Sequence, residues 1–224
     1  MIETGISFGG LHSYWDFGLI LGSVVIPPAS PKETFVDVPG ADGSVDMTEA
    51  HGEVKYADRT GASFTFFMKP DGDLSEAAWE DKKKEVSNRL NGLRCDIAPD
   101  KDPEYYWQGR CKVNEYASNK KLRSIVVGAR LAPYKLKRGV TRVSVDLTEE
   151  AQEVTLTNGR KTVCPTIICT GRTTIDLSVG GAIDILDVGE GTHKILSFQL
   201  KEGERTITVK GTGTVTFEYQ EGDL

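Results

Sequence analysis

From residue 140 onward the chain is built of eight short runs in which apolar and polar residues alternate, at 143–147, 154–156, 163–169, 175–179, 183–188, 195–200, 206–210 and 214–219. Each run has the period of two of a half-buried strand, and glycines punctuate the series at Gly180-Gly181, at Gly189 and Gly191, and at Gly211 and Gly213. Strands of this kind must cover their apolar faces with a second layer, so the pattern predicts an all-β antiparallel sandwich of jelly-roll type. The last hairpin is the clearest case. Ile207 and Val209 share one face of its first strand, and Val215, Phe217 and Tyr219 share one face of its second.

Residues 1–139 have a different texture. They hold all three tryptophans, Trp15, Trp79 and Trp107, and the one convincing helix, predicted over 74–92. Ser75 is placed to cap its free amides, and Glu76, Glu80 and Asp81 lie near its positive end. Trp79, Val86, Leu90 and Leu93 recur at helical spacing, and Asn91-Gly92 supplies a left-handed stop. Alternation through Phe64, Phe66 and Met68, and again through Ile125, Val127, Ala129 and Leu131, predicts strands. The cluster 39–43, with its Asp42-Gly43 pair, predicts a hairpin joining 35–38 to 45–47. This half therefore reads as α+β, mostly β with one helix. The polar stretch 132–139, with Pro133 and Gly139 near its ends, reads as an exposed connection, which puts the domains at 1–139 and 140–224.

Charge and composition exclude several functions. The longest apolar stretch, 17–26, contains two glycines and runs into Pro27-Pro28; a helical span needs about 20 apolar residues, so no membrane span is expected. The start of the chain lacks the basic region of a signal peptide, which predicts synthesis in the cytoplasm. The net charge is −6, with 19 Lys/Arg against 20 Asp/Glu up to residue 139 and 8 against 13 beyond it. That balance argues against a dedicated nucleic-acid binder, although Arg110, Lys112, Lys120, Lys121, Arg123, Arg130, Lys135, Lys137 and Arg138 face Glu115 alone between Arg110 and Arg138. Because the segment spans several strands, its charges are expected to point in different directions.

No catalytic, cofactor or metal constellation emerges. Asp184/Asp187 and Glu202/Glu204 lie where solvated charge is ordinary, and the glycines of 7–10 and 211–213 lack the Gly-Lys-Ser/Thr that a phosphate loop requires. His12, His51 and His193 stand in unrelated contexts. Cys95, Cys111, Cys164 and Cys169 are expected to be reduced thiols; a strand over 163–169 would send Cys164 and Cys169 to opposite faces, while Cys95 and Cys111 flank a turn that permits adjacent positions on antiparallel strands. Tyr105-Tyr106-Trp107 reads first as core and second as a subunit or carbohydrate contact.

An ordered series of motifs carries a family resemblance. It comprises Phe8-Gly9-Gly10-Leu11-His12-Ser13-Tyr14-Trp15-Asp16-Phe17-Gly18-Leu19, Val38-Pro39-Gly40-Ala41-Asp42-Gly43-Ser44-Val45-Asp46, Tyr56-Ala57-Asp58-Arg59, the Asn91-Gly92 helix end, Tyr105-Tyr106-Trp107-Gln108-Gly109-Arg110, and the closing Lys210-Gly211-Thr212-Gly213-Thr214-Val215-Thr216-Phe217-Glu218-Tyr219 with Gly222 and Leu224. Essentially the full chain resembles the distal tail protein family (Dit) of siphophage-type tails in phages and prophages of Gram-positive hosts. The resemblance implies a structural virion protein of the tail tip or baseplate, made in the host bacterial cytoplasm, without enzymatic activity or cofactor. It implies an N-terminal domain that forms a hexameric ring, single or paired, bridging the tail tube protein and the tail-associated hub protein, and a galectin-like C-terminal sandwich.

Some members of that family carry an inserted carbohydrate-binding module, for which 140–224 leaves no room, so glycan binding is not expected here. The alternative, a module that attaches to cell-wall glycans, requires an exposed aromatic platform, whereas alternation assigns Phe198, Phe217 and Tyr219 to the core. A head-to-tail ring covers different surfaces on the two sides of each subunit. The aromatic density near the chain start then makes Phe8, Tyr14, Trp15 and Phe17 the candidate subunit-interface residues.

Overall fold

The computed structural model describes residues 4–50, 52–70, 72–119, 122–178 and 184–224. His51, Lys120, Lys121, the Gly180-Gly181 break and the ends of the expected strands at Val179 and Ile183 lie outside the described residues. The chain divides into two compact units, Met1–Lys135 and Leu136–Leu224, where the sequence pattern puts the division after Gly139. Leu136 is buried, Lys137 donates its backbone N–H to the Glu221 carbonyl, and Gln220 donates to the Lys137 carbonyl, so these residues fold with the chain end.

The first unit contains β1 (Ile6–Phe8), β2 (Leu11–His12), β3 (Leu19–Val25), β4 (Phe35–Asp37), β5 (Ser44–Asp46), β6 (Arg59–Met68), α1 (Glu76–Leu90), β7 (Arg94–Pro99), β8 (Tyr105–Ser118) and β9 (Arg123–Leu131). Seven strands form an antiparallel sheet in the order β2-β1-β7-β8-β9-β6-β3. Alternation fills its core: Ala62, Phe64 and Phe66 of β6 and Ile125, Val127, Ala129 and Leu131 of β9 all point inward, with Phe64 opposite Val127 and Phe66 opposite Ile125. Phe8 of β1 lies edge-on to Phe64 at 5.6 Å and to Phe66 at 6.0 Å, although three strands separate β1 from β6. The sheet must therefore curl around this cluster.

Helix α1 buries Trp79, Val86 and Leu90 against the same core. Its ends match the sequence chemistry: the Ser75 hydroxyl accepts the Ala78 N–H at 3.2 Å, and Gly92 takes φ +84° just past the end. The helix end is also stitched to β8. Gly92 donates to the Cys111 carbonyl, and Asn91 Oδ1 accepts the Val113 N–H where the β8–β9 register slips.

The second unit contains β10 (Lys135–Lys137, which begins at the boundary), β11 (Thr141–Asp146), β12 (Gln152–Asn158), β13 (Thr166–Cys169), β14 (Thr173–Asp176), β15 (Ile185–Val188), β16 (Gly191–Lys194), β17 (Gly203–Gly211), β18 (Thr214–Tyr219) and β19 (Gly222–Asp223). Two four-stranded antiparallel sheets, β11-β18-β13-β16 and β12-β17-β14-β15, enclose one core. Phe198 and Phe217 meet edge-on at 6.0 Å inside it. Outward faces carry hydroxyl pairs such as Ser144–Thr216 and Thr155–Thr206, each across adjacent strands. Buried Asn158 donates its amide to the Lys161 and Leu200 carbonyls, which anchors the long connections around it.

One strand is displaced from its expected position. The run 195–200 is not a strand; the strand lies just before it, at Gly191–Lys194. Ile195, Phe198 and Leu200 do face the core, but Phe198 donates to the Ile195 carbonyl in a turn, so their burial comes from a loop folded over the sandwich. Likewise the run from 163 becomes β13 only at Thr166, after Pro165, with Val163 held by an isolated bridge to Leu200.

Candidate assembly surfaces

Residues 30–50 and 52–57 form a two-stranded arm. Backbone bonds from Lys32 to Lys55 and from Ala57 to Ser30 begin it, and β4 and β5 continue it with Phe35 opposite Asp46 and Val36 opposite Val45. Gly40 (φ +83°) and Gly43 (φ +77°) turn its tip, the hairpin that Asp42-Gly43 predicts. Every residue from Pro31 to Asp46 is exposed, including Phe35 at 56 %, Val36, Val38 and Val45. An isolated two-stranded ribbon is marginal in water, and its paired apolar side chains have no layer beneath them.

The root of the arm, by contrast, is fixed. Arg59 is buried, and its guanidinium donates from Nε to the Pro133 carbonyl (2.9 Å) and from Nη1 to the Pro27 carbonyl (2.8 Å).

The four aromatic candidates near the chain start separate cleanly. Phe8 and Phe17 are core residues of the first unit, each 1 % exposed, and so are not available to a neighbouring subunit. Their burial follows from the pairing of β1 with β7 and from clipping of the turn after β2, where Lys82 Nζ bonds the Phe17 carbonyl. Tyr14 is half-buried under Lys69, whose ammonium stands 3.5 Å above its ring. Trp15 is 74 % exposed. His12 holds this turn: its Nδ1 accepts the N–H groups of Tyr14 and Trp15, which leaves the proton on Nε2, facing Asp100 at 3.0 Å. Of the four, Trp15 with the edge of Tyr14 is what the monomer presents to solvent.

The chemistry-bearing groups do not converge. Asp184 and Asp187 bond Ser178 and Thr174 respectively through Asp184 N–H and the Asp187 carboxylate, and Glu202 pairs with Arg160 at 2.7 Å. Among the described residues no group of three or more His, Cys, Asp or Glu could hold a metal, and no helix is long and apolar enough to cross a membrane. Cys95 and Cys111 are neighbours on β7 and β8 with sulfurs 4.0 Å apart. The hydrogen bond between them holds the Cys111 thiol protonated, reinforced by burial, and lowers the pKa of Cys95. Cys164 lies before β13 with its thiol on the Ile195 carbonyl, and Cys169 is in the core.

Tyr105, Tyr106 and Trp107 are all half-buried, with Trp107 packed on the core and Tyr105 under Lys135. The aromatic side chains of the second unit, Phe198, Phe217 and Tyr219, are buried, so they offer no stacking surface for a sugar ring. Part of the basic segment is held in ion pairs: Arg123 pairs with Glu76, Lys135 with Asp102 and Lys137 with Glu221.

No protein-family profile matches the chain. No curated protein matches it either. Among solved structures it is similar to the crystal structure of SPP1 Dit (gp 19.1), described as a paradigm of the hub adsorption apparatus in phages that infect Gram-positive hosts. The TM-score is 0.69 with 99 % of each chain covered, and the sequences are 16 % identical. Over its whole length this chain has the fold of a distal tail protein, the family its ordered sequence motifs resemble.

Proposed function

We propose that the chain is a structural protein of a phage tail tip that assembles through its first unit into a closed hexameric ring joining the tail tube to the hub and receptor-binding proteins. The observation that carries this reading is the arm: a fold shared end to end with SPP1 Dit displays a ribbon with Phe35, Val36, Val38 and Val45 exposed. A surface of that kind is a liability on a monomer and is accounted for when a neighbour covers it. Since the arm and the remainder of the unit are different surfaces, arm-to-body contacts are head-to-tail, and such contacts close into rings when the rotation per subunit permits. Trp15 is the second surface available for a contact, with a neighbouring subunit or with the hub. In this reading the protein is made in the host cytoplasm and functions in the virion.

Native mass spectrometry of the purified chain tests the proposal. The expected species has six times the 24.5 kDa chain mass, and negative-stain images show rings. A protein that stays monomeric at tens of micromolar, alone and with purified tail tube protein, overturns it.

A further inference from the structure

The strand register brings together charges that are far apart in the chain. In β7–β8 Arg94 lies opposite Arg110, and in β8–β9 Arg110 lies opposite Arg130. All three are exposed, so the outer face of the sheet carries an unbroken row of arginines across three adjacent strands, with Lys112 next to it on β8. Strands lie about 4.8 Å apart, so three guanidinium stems stand within roughly 10 Å of one another. Like charges directly opposite destabilise a sheet.

The row is only partly compensated within the chain. Arg130 pairs with Asp58 at 2.9 Å, and Arg110 donates to the Gly92 carbonyl at 2.7 Å, but neither Arg94 nor Arg110 has a carboxylate ion-pair partner among the described residues. The nearest acid along β7, Asp96, accepts from Gln108. Beside the row a trough of about 670 Å³ runs past Gly61 and Gly92, where missing side chains leave room, and past Gly128, over which the Asn114 amide lies.

The arm has complementary chemistry. Over residues 30–57 it carries Glu33, Asp37, Asp42, Asp46, Glu49 and Glu53 against Lys32 and Lys55, together with its uncovered apolar side chains. Among the described residues nothing covers it, since residues 31–46 are all exposed. We propose that the arginine row and its trough receive the acidic arm of a second copy of this chain, which is the head-to-tail contact of the ring. This inference rests on the ring reading above and names its two complementary surfaces. Arginine forks suit carboxylates, and a row of unmatched cations repels a misplaced neighbour that does not present acids.

A charge-swap experiment tests it. One variant reverses the row (Arg94→Glu with Arg110→Glu); the other reverses the arm (Glu33→Lys, Asp42→Lys, Glu49→Lys). Each alone is expected to weaken assembly on the order of 100-fold in apparent dissociation constant, while circular dichroism and melting temperature stay near those of the parent. Mixed in equal amounts, the two restore hexamers of strictly alternating composition, because every arm then meets a row of opposite sign on the next subunit.

Rings that persist in either single variant, or a loss that mixing does not repair, overturn the arm-to-row contact while leaving the ring itself standing. A parent protein that forms no ring overturns both. Fluorescence anisotropy with a short single-stranded DNA supplies the competing occupant: tight binding by the parent that the row variant abolishes, with rings unaffected, assigns the row to a phosphate backbone and overturns the proposal.

Discussion

The two units of this chain dispose of their large apolar side chains in opposite ways. In the second, two sheets cover each other, and among the described residues only Val140, Ile185, Leu196 and Leu224 stand exposed, well separated along the chain. In the first, a well-filled core of Phe8, Phe17, Phe64, Phe66 and the inward side of β9 coexists with Trp15, with Ile20, Val24 and Val25 on the edge strand β3, and with the apolar arm. Both cores are equally well buried. The difference is that one unit is finished as a monomer and the other holds apolar surface outside its core. Assembly is therefore a property to be sought in the first unit, and stability of the second should be independent of it.

Removing the arm makes the sharpest break in that comparison. Replacing residues 33–49 by a short Gly-Ser turn is expected to convert rings entirely to monomers in light scattering, yet to change the unfolding free energy of the first unit by less than about 1 kcal/mol, since exposed residues contribute little. Assembly that survives this deletion would redirect attention to β3 and Trp15. The converse variant is Phe217→Ala, which empties a fully buried site facing Phe198. A loss of about 3–5 kcal/mol in the second unit is expected by calorimetry, with ring formation intact below its melting range; coupled loss of rings would show that the two units are not independent.

Tyr219 gives a smaller, pH-resolved effect on the same unit. Its hydroxyl donates to the Thr157 carbonyl at 2.6 Å, and burial, with Glu221 nearby, raises its pKa above the ordinary tyrosine value of 10.0. A raised folded pKa means stability that is complete below about pH 10 and lost as pH rises through the folded value, because the unfolded chain ionises first. Alkaline unfolding curves of Tyr219→Phe should fall less steeply above pH 10, at a cost of about 1 kcal/mol at neutral pH from the lost hydrogen bond. Trp15→Ser marks the small end: with 74 % of the residue already exposed, the melting free energy should move by under about 0.5 kcal/mol, and any change in assembly or hub binding is then a surface effect.

Much of this architecture is legible in the sequence because most strands of the second unit obey local rules. Period-two alternation places Ile207, Val209, Val215, Phe217 and Tyr219 inside without knowledge of the partner strands. Ser75 and Gly92 frame α1 for equally local reasons. What fails to show is whatever depends on which layer covers a strand. The hairpin signal over 35–38 and 45–47 looks no different from that of a core hairpin, yet these residues are all exposed. Phe8 and Phe17 look like terminal aromatics in need of a neighbour because the closure of β1 over β6 is a long-range fact. The loop at 195–200 buries three apolar side chains without being a strand, a case that periodicity cannot distinguish. The arginine row is the extreme example, since only the register of β7, β8 and β9 places its members side by side.

The clamp at Arg59 bears on how an assembly of such subunits closes. A ring of identical parts needs every joint to turn by the same angle, and small errors accumulate around the circle until the last subunit misses the first and a spiral grows instead. A ribbon on a loose hinge would transmit that error. With its guanidinium bolted to two proline carbonyls from separate segments, Pro27 and Pro133, Arg59 sets the direction in which the ribbon leaves the body. In the ring proposed above, the angle at which each arm leaves its subunit is therefore set at the base of the arm rather than at its tip.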